Sequence, residues 1–297
     1  MQKNENILDK IALIAAMLIF GTIGIFKKAI PLPSGTIAMF RGIIGALMLM
    51  LILLITGRKI SFNTIKKHIG LLIISGAFIG FNWILLFESY NYTSVATATL
   101  CYYMAPVFVI FASPLLLNER LTVKQLICSL FAIIGMILVS GFFEVGFKNS
   151  YELIGVGLGL GAALLYAGVR IMNKKMPEVG AFEKTVIQLI SAGITIIPYT
   201  LLFENISFKS VSTKTILLIL ILGFVHTAIA YALYFSSLKS IKAQTAAIFS
   251  YIDPIFAIIL SVLVLKENMS ILTIIGSIIV LGATLISEIK IKKTDSH

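Results

Sequence analysis

The chain has 297 residues, of which 59% are hydrophobic and only 12% charged, and its mean hydropathy is +1.03. This is more apolar surface than a soluble domain of that length can bury, so the composition excludes a soluble protein and indicates an integral membrane protein. The formal net charge of +11 would also fit a nucleic-acid partner, but most Lys and Arg residues fall in alternate loops, as the positive-inside rule requires. We therefore expect membrane lipid, and no nucleic acid, around this chain.

Ten apolar segments of about twenty residues, the length that spans a hydrocarbon core of about 30 Å, predict ten transmembrane helices. These spans cover residues 10–26, 34–56, 69–88, 94–117, 123–142, 153–172, 186–203, 216–237, 243–265 and 271–289. A polar break at 144–151 divides them into two sets of five. No small-residue cleavage site follows the first span, so we expect it to be a transmembrane helix rather than a signal peptide.

A repeated segment relates the two sets. Residues 97–119 and 245–267 share ten identical residues in twenty-three positions, including a proline in mid-span and a glutamate at the end. We therefore predict one repeat over 1–143 (helices 1–5) and a second over 152–292 (helices 6–10). Because five is an odd number, the second repeat enters the membrane from the opposite side, which is a transporter architecture.

The distribution of positive charge predicts the orientation. With the N-terminus in the cytoplasm, most of the 24 Lys and Arg residues fall on the cytoplasmic side. We therefore expect a multi-pass protein of the cytoplasmic membrane with both termini inside, as a monomer or a homodimer. Cys101 and Cys128 both lie in apolar segments, which makes a disulfide framework unlikely on sequence grounds.

The repeated segments, YYMAPVFVIFASPLLLNERLT and SYIDPIFAIILSVLVLKENMS, together with FRGIIG in span 2, resemble the EamA family of the drug/metabolite transporter superfamily. The resemblance covers nearly the whole chain. It implies an all-α membrane protein with ten transmembrane helices, arranged as two inverted five-helix repeats around a central cavity. It also implies secondary transport of a small metabolite or drug-like solute, but neither its identity nor its direction. Glu88 stands where many members have an uncharged residue.

Three charged residues inside predicted spans are candidates for proton coupling or charge recognition: Arg41, Glu88 and Asp253. A charge in the bilayer costs at least about 2.5–3.5 kcal/mol, so each one needs a reason. Structural alternatives stay open: Arg41 as the partner of a carboxylate or helix end, Glu88 as an interfacial carboxylate, and Asp253 bonded to a neighbouring helix. Because burial disfavours the charged form of a carboxylate, we hypothesise that Asp253 or Glu88 exchanges a proton for substrate.

Polar and aromatic residues within the spans are the candidates for substrate binding: Asn82, Trp83, Tyr103, Tyr166, His226, Tyr231 and Tyr251. Asn82 and His226 would equally well bond a neighbouring helix. An aromatic lining beside a carboxylate suits a cationic or zwitterionic solute. Tyr90, Tyr92 and Phe203 are predicted to lie at the membrane interfaces instead.

Proline in mid-span kinks a helix and frees a carbonyl, which is tolerated only against protein or a water-filled cavity. Pro106 and Pro254 recur at equivalent positions of the two repeats, so we predict paired hinges around a central site rather than two simple kinks.

Two other classes of membrane protein find little support. The sequence has no HExxH, GxSxG or P-loop pattern and its three histidines are scattered, which argues against an enzyme or a metal site, and no cofactor is indicated. A channel would need a repeated filter or a ring of charge, and neither is visible. The sequence therefore predicts a proton-coupled secondary transporter working by alternating access, with a lipid-flipping or structural membrane protein as the alternative.

Overall fold

A computed structural model describes residues 7–56, 62–140, 150–205, 211–238 and 240–289. Within these ranges the chain is helical and contains no strand, so the prediction of an all-α protein is confirmed. Within these ranges nine helical stretches, several of which join two of the helices named below, are long and apolar enough to cross a membrane. Val123–Val139 is a shorter apolar helix. The count of ten transmembrane helices therefore stays a prediction.

The helices are, in chain order, α1 (Ile7–Gly21), α2 (Ile23–Ala29), α3 (Ser34–Ile55), α4 (Phe62–Tyr92), α5 (Val95–Tyr102), α6 (Ala105–Leu116), α7 (Val123–Val139), α8 (Ser150–Lys174), α9 (Ala181–Phe203), α10 (Thr213–Gly223), α11 (Ala230–Ser237), α12 (Ala243–Ser250), α13 (Ile252–Leu263) and α14 (Ile271–Glu288). A π-helical turn, Phe224–Ile229, joins α10 to α11. Most of the predicted polar break at 144–151 lies outside the described residues, and α8 already begins at Ser150.

Several helices begin where a hydroxyl side chain binds a free backbone N–H group. Ser94, Ser212 and Ser270 each accept a hydrogen bond from the N–H three residues later, at 2.9–3.2 Å. Thr122 forms a reciprocal capping box with Gln125 at the start of α7. These caps pair donors that the first helical turn leaves without a partner, so the helices start cleanly after short turns.

Predicted spans 4 and 9 are both interrupted. Two non-helical residues separate α5 from α6, and one separates α12 from α13. Pro106 and Pro254 each lie in the first turn of the second helix, where a missing N–H group costs no helical hydrogen bond. The carbonyl of Ser250, which Pro254 leaves without its helical donor, accepts a hydrogen bond from the Tyr103 hydroxyl at 3.4 Å.

The two halves of the chain interlock. Helices of the first half pack against helices of the second: α4 against α8 and α9, α3 against α9 and α10, and α1 against α11 and α13. The last helices of the two halves, α7 and α14, pack against each other. Glycine permits that approach, because a Cβ atom on Gly135 would lie only 2.9 Å from the carbonyl oxygen of Gly276. Neither half forms its core alone, so a space between them is lined by both.

Candidate functional site

A cavity of about 480 Å³ lies in the middle of the helix bundle. This size is within the range of about 300–1,000 Å³ that is usual for small-molecule sites. The lining brings together nine of the residues predicted from the sequence: Arg41, Asn82, Trp83, Tyr103, Pro106, Tyr166, Tyr231, Tyr251 and Asp253. They come from both halves of the chain, so the cavity exists only because the halves interlock.

Asp253 and Tyr103 meet across this cavity. The Tyr103 hydroxyl donates a hydrogen bond to Oδ2 of Asp253 at 2.8 Å. The rings of Tyr103 and Tyr251, which hold equivalent positions in the two repeats, have centroids 6.0 Å apart. Because Tyr103 lies in the break between α5 and α6 and Asp253 at the start of α13, the two interrupted spans converge at this carboxylate.

Arg41 of α3 lies in the same cavity, and only 3% of it is exposed. Its guanidinium carbon is 4.3 Å from the centroid of the Trp83 ring, a cation–π contact. Its Nε donates to the hydroxyl of Thr227, in the π-helical turn, at 3.0 Å. Among the described residues no carboxylate pairs with Arg41, so the structural carboxylate partner allowed by the sequence is not found there.

Tyrosine dominates the lining. Seven tyrosines contribute to it: Tyr90, Tyr102, Tyr103, Tyr166, Tyr231, Tyr234 and Tyr251. The ring centroids of Tyr102 and Tyr166 lie 5.2 Å apart and those of Tyr102 and Tyr103 6.3 Å apart, so these three rings form a tyrosine wall. The prediction that Tyr90 lies at the membrane interface is wrong, since it is 4% exposed. Helix α4 continues past the predicted end at residue 88, which keeps Tyr90 on the inward face two turns after Trp83.

Two polar residues predicted to bind substrate have neighbours of their own. The amide of Asn82 donates to the carbonyl of Ala162 at 2.5 Å, and its Oδ1 is buried without a hydrogen-bond partner. His226 does not line the cavity: its Nε2 lies 2.8 Å from the hydroxyl of Thr22, and its ring packs on Phe26 with centroids 4.5 Å apart. Contact of either residue with substrate stays a prediction.

One end of the bundle, here called the Lys28 end, contains Lys28, Glu88, Glu204 and Glu267. Glu204 accepts hydrogen bonds at 2.7 Å from the backbone N–H groups of Gly35 and Thr36, and so caps α3, which has no side-chain cap of its own. Glu88 accepts from the hydroxyl of Ser34 at 2.6 Å and is not part of the cavity lining. Carboxylates therefore tie the start of α3 to α4 and α9 at this end.

Glu267 completes the Lys28 end. Its Oε2 accepts from the backbone N–H of Val95 at 2.9 Å and from the hydroxyl of Ser261, and its Oε1 lies 3.9 Å from Nζ of Lys28. One carboxylate thus links the turn after α13 to the start of α5 and the end of α2. Pro254, predicted as a hinge, is buried in α13 outside the lining of the cavity.

The opposite end, here called the Lys174 end, contains Glu119, Arg170, Lys174 and Glu288. Lys174 pairs with Glu119 at 3.1 Å, and Arg170 pairs with Glu288 at 3.2 Å. Arg170 and Glu288 line the cavity, whereas none of the four residues that define the Lys28 end does. The cavity therefore extends from Asp253 and Arg41 toward the Lys174 end.

Sequence reasoning missed four charged residues of these networks: Lys27, Arg170, Glu204 and Glu288. Lys27 falls just outside the first predicted span, but it lies in α2, is 4% exposed and donates to the side chain of Asn91. Arg170 and Glu288 could have been recognised from the sequence, because each is a charged residue within the last turns of a long apolar segment. Glu204 gave no local signal, since the helix that it caps is far away in the sequence.

These observations define a class of protein: a multi-pass membrane protein whose apolar helices enclose a solute-sized cavity lined by tyrosine, charged and apolar side chains, as solute transporters do. A model of the EamA-like transporter family matches residues 10–141 and again residues 153–288. The chain belongs to the EamA-like transporter family, and the resemblance seen in its sequence is confirmed.

Relatives carry names of the same kind. An uncharacterized transporter of Bacillus subtilis (strain 168), YxxF, is 29% identical over 268 residues, which cover 88% of this chain and 85% of the relative. Another from that organism, the uncharacterized transporter YetK, is 26% identical over 292 residues, which cover 96% of this chain and 86% of YetK. A solved crystal structure shares the fold, with a TM-score of 0.66 and 16% identity over 94% of this chain and 95% of that chain.

Proposed function

We propose that this chain is a secondary active transporter that moves a small organic solute across the cytoplasmic membrane by alternating access. The cavity carries this proposal, because both halves line it, it is large enough for a metabolite, and it extends toward one end of the bundle only. With both termini in the cytoplasm, the Lys174 end faces inward. The sequence has no P-loop pattern, so a gradient supplies the energy.

We take the two halves as an inverted repeat, which would support alternating access. The family model matches the chain twice, and each match begins a set of five predicted spans. The turns after α6 and α13 repeat one conformation, with φ of 54° at Asn118 and 55° at Lys266, 148 positions apart. In an inverted repeat such equivalent turns lie on opposite sides of the membrane, where either one can close its own side.

Asp253 is our choice for the proton-coupling group. It lies in the cavity, and the one hydrogen bond that its carboxylate makes within the described chain comes from Tyr103. A proton and a cationic group of the solute would therefore compete for the same oxygens. Glu88 is the weaker candidate, because it lies outside the cavity lining and its Oε2 accepts hydrogen bonds from Ser34 and Asn91.

A vesicle assay tests both parts of this proposal. Thermal unfolding of the purified protein against a panel of amines, amino acids, nucleosides and sugars first identifies a ligand, since a ligand at about 100 times its dissociation constant adds about 2.7 kcal/mol. Uptake of that ligand into reconstituted vesicles is then measured with and without a pH gradient. We expect Asp253→Asn to abolish the effect of the gradient and Glu88→Gln to retain it. Full gradient dependence in Asp253→Asn would contradict proton coupling at this residue.

Lipid translocation is a second candidate, favoured by one observation. An apolar groove of about 400 Å³, lined by residues of α13 and α14 and the turn between them, shares Tyr251 with the central cavity. An acyl chain in that groove would place a lipid headgroup next to the cavity. Movement of a headgroup-labelled lipid across vesicles, with no soluble solute binding, would favour this candidate over solute transport.

A further inference from the structure

We infer that the transported solute is a zwitterion, with a carboxylate that binds Arg41 and an ammonium group that binds Asp253. This inference rests on the proposed transport function and names its substrate class. It follows from the charges that the cavity presents, from the donors and acceptors left open on them, and from the side chains between them.

The charges of the lining residues sum to zero, but only two of the four form an ion pair with each other. Four charged residues line the cavity: Arg41, Arg170, Asp253 and Glu288. Arg170 and Glu288 neutralise each other at 3.2 Å. Arg41 and Asp253 lie in the same cavity, and in the part of the chain that the structure describes neither has an oppositely charged side chain at ion-pair distance. Because an unpaired buried charge is unfavourable, a ligand with one charge of each sign fits best.

Arg41 is prepared for an anion. A guanidinium group has five N–H donors in a planar fork, and only Nε is engaged by a described residue, Thr227. The contact with the Trp83 ring covers one side of the guanidinium and leaves its two terminal nitrogens for a ligand. Two parallel N–H groups match the two oxygens of a carboxylate, which is the geometry of the strongest charge-assisted hydrogen bonds.

Asp253 is prepared for a cation. Its Oδ2 already accepts from Tyr103, while its Oδ1 has no donor among the described side chains. The hydroxyl of Tyr103 bonds Asp253, and the rings of Tyr103 and Tyr251, whose centroids are 6.0 Å apart, both line the cavity, where ring faces attract an ammonium group. The tyrosine wall offers room for an apolar or aromatic side group.

The other solute classes fit this cavity less well. An organic cation satisfies Asp253 but is repelled by Arg41 and leaves its terminal N–H groups without an acceptor. A monocarboxylate satisfies Arg41 and leaves Asp253 facing a second negative charge. A neutral solute leaves both charges unmatched, so only a zwitterion compensates both.

Matched sets of compounds test the inference directly. Each set holds a zwitterion, the amine that lacks its carboxylate and the acid that lacks its ammonium group. Leucine with isopentylamine and 4-methylpentanoate, phenylalanine with phenethylamine and 3-phenylpropanoate, and tryptophan with tryptamine and 3-indolepropanoate provide three skeletons. Thermal unfolding of the purified protein in detergent at neutral pH gives the affinity of each compound. On at least one skeleton we expect the zwitterion to bind about 10- to 100-fold more tightly than either analogue, the effect of one charged hydrogen-bonding group.

Variants assign each charge to its residue. Arg41→Gln should remove the preference for the zwitterion over the amine and keep its preference over the acid, and Asp253→Asn should do the reverse. Arg41→Lys keeps the charge without the fork, so it should fall between wild type and Arg41→Gln, and it replaces Arg41→Gln if that variant does not fold. Tyr92→Phe, which lies outside the cavity lining and packs on Tyr151, should leave all the preferences unchanged.

Three results would overturn the inference: an amine that binds as tightly as its zwitterion, an Arg41→Gln variant with unchanged preferences, or no stabilisation by any compound of the three sets. Its failure differs from failure of the transport function. If an organic cation or a nucleoside is bound and moved across vesicles with a requirement for Asp253, the transporter stands and the zwitterion does not. If zwitterions bind but never cross vesicles, the ligand class stands and transport does not.

Discussion

The Lys28 end and the Lys174 end of the bundle contain the same turn in two different environments. Glu267 and Glu119 hold equivalent positions, and the N–H of each bonds the carbonyl of a serine six residues earlier, at 3.1 and 3.3 Å. The side chain of Glu267 is 17% exposed and accepts a hydrogen bond from the start of α5. That of Glu119 is 51% exposed, and Lys174 is the partner that the structure gives it.

The comparison shows that the same short turn can either join two helices through its glutamate or leave that glutamate exposed. The turn places a carboxylate at the end of a helix pair in both repeats, and only its docking onto the first turn of a neighbouring helix differs. A docked carboxylate satisfies a free N–H group and holds two helices together, whereas an exposed ion pair contributes little. The Lys28 end therefore has such a docked carboxylate, the contact of Glu267 with the N–H of Val95, which we call the latch. At the Lys174 end Glu119 is exposed instead. Alternating access predicts that the two ends exchange these states.

The largest effect should come from fixing the latch. Cysteines at Lys28 and Glu267, joined by a short thiol cross-linker in a chain with Cys101→Ser and Cys128→Ser, should hold the Lys28 end closed. Transport in vesicles should be lost completely, while ligand binding, measured by thermal unfolding, should persist through the Lys174 end. The same variant without cross-linker is the control. Transport that continues after complete cross-linking would show that the Lys28 end does not open.

A second test of the comparison places a larger side chain in the helix packing at the Lys28 end. Helix α2 approaches α5 at Gly24, where an added Cβ would collide with the side chain of Val95. Gly24→Val should therefore cost about 1–3 kcal/mol of unfolding free energy. Gly157, with no atom within 4 Å of an added Cβ, provides the matched control. Gly157→Ala should be neutral or stabilise by up to about 1 kcal/mol. Equal melting temperatures for the two variants would contradict tight packing at the Lys28 end.

The two glutamates themselves sharpen the comparison. Glu267→Ala removes the acceptor of the Val95 N–H group and should destabilise the protein by about 1–2 kcal/mol. Glu119→Ala removes an exposed pair and should cost between 0 and about 1 kcal/mol. Thermal unfolding of the two variants side by side measures the difference. Similar losses, or a larger loss for Glu119→Ala, would mean that the repeated turns are not in different states.

The smallest effect is on the pH dependence of protein stability, through a residue near the Lys174 end. A hydrogen bond from its own backbone holds the pKa of Glu178 below its ordinary value of 4.5, and Lys67 and His68 act in the same direction. A lowered folded-state pKa stabilises the protein above pH 4.5 and is lost as pH falls through the lowered value. Glu178→Gln should therefore melt slightly below wild type at neutral pH and converge with it in acid. A difference that grows in acid would have the wrong sign.

The sequence predicted the features that repeat or have a period. Helical spans, the duplication and nine residues of the cavity followed from hydropathy, from the shared proline and glutamate, and from polar groups inside apolar segments. It did not predict contacts made across long distances in the chain. Glu204 accepts from the N–H of Gly35, 169 residues earlier, and buried Lys27 donates to Asn91 of another helix. Tyr90 was misplaced because the end of α4 depends on tertiary packing, which hydropathy does not record.

Distances across the two ends, measured together, test the central claim of alternating access most directly. Exposed residues at corresponding turns provide two spin-label pairs: Pro31 with Asn268 at the Lys28 end, and Pro177 with Arg120 at the Lys174 end. We predict that ligand or a change of pH shifts part of the population so that the first distance lengthens while the second shortens. Distances that stay fixed, or that lengthen and shorten together, would contradict the account.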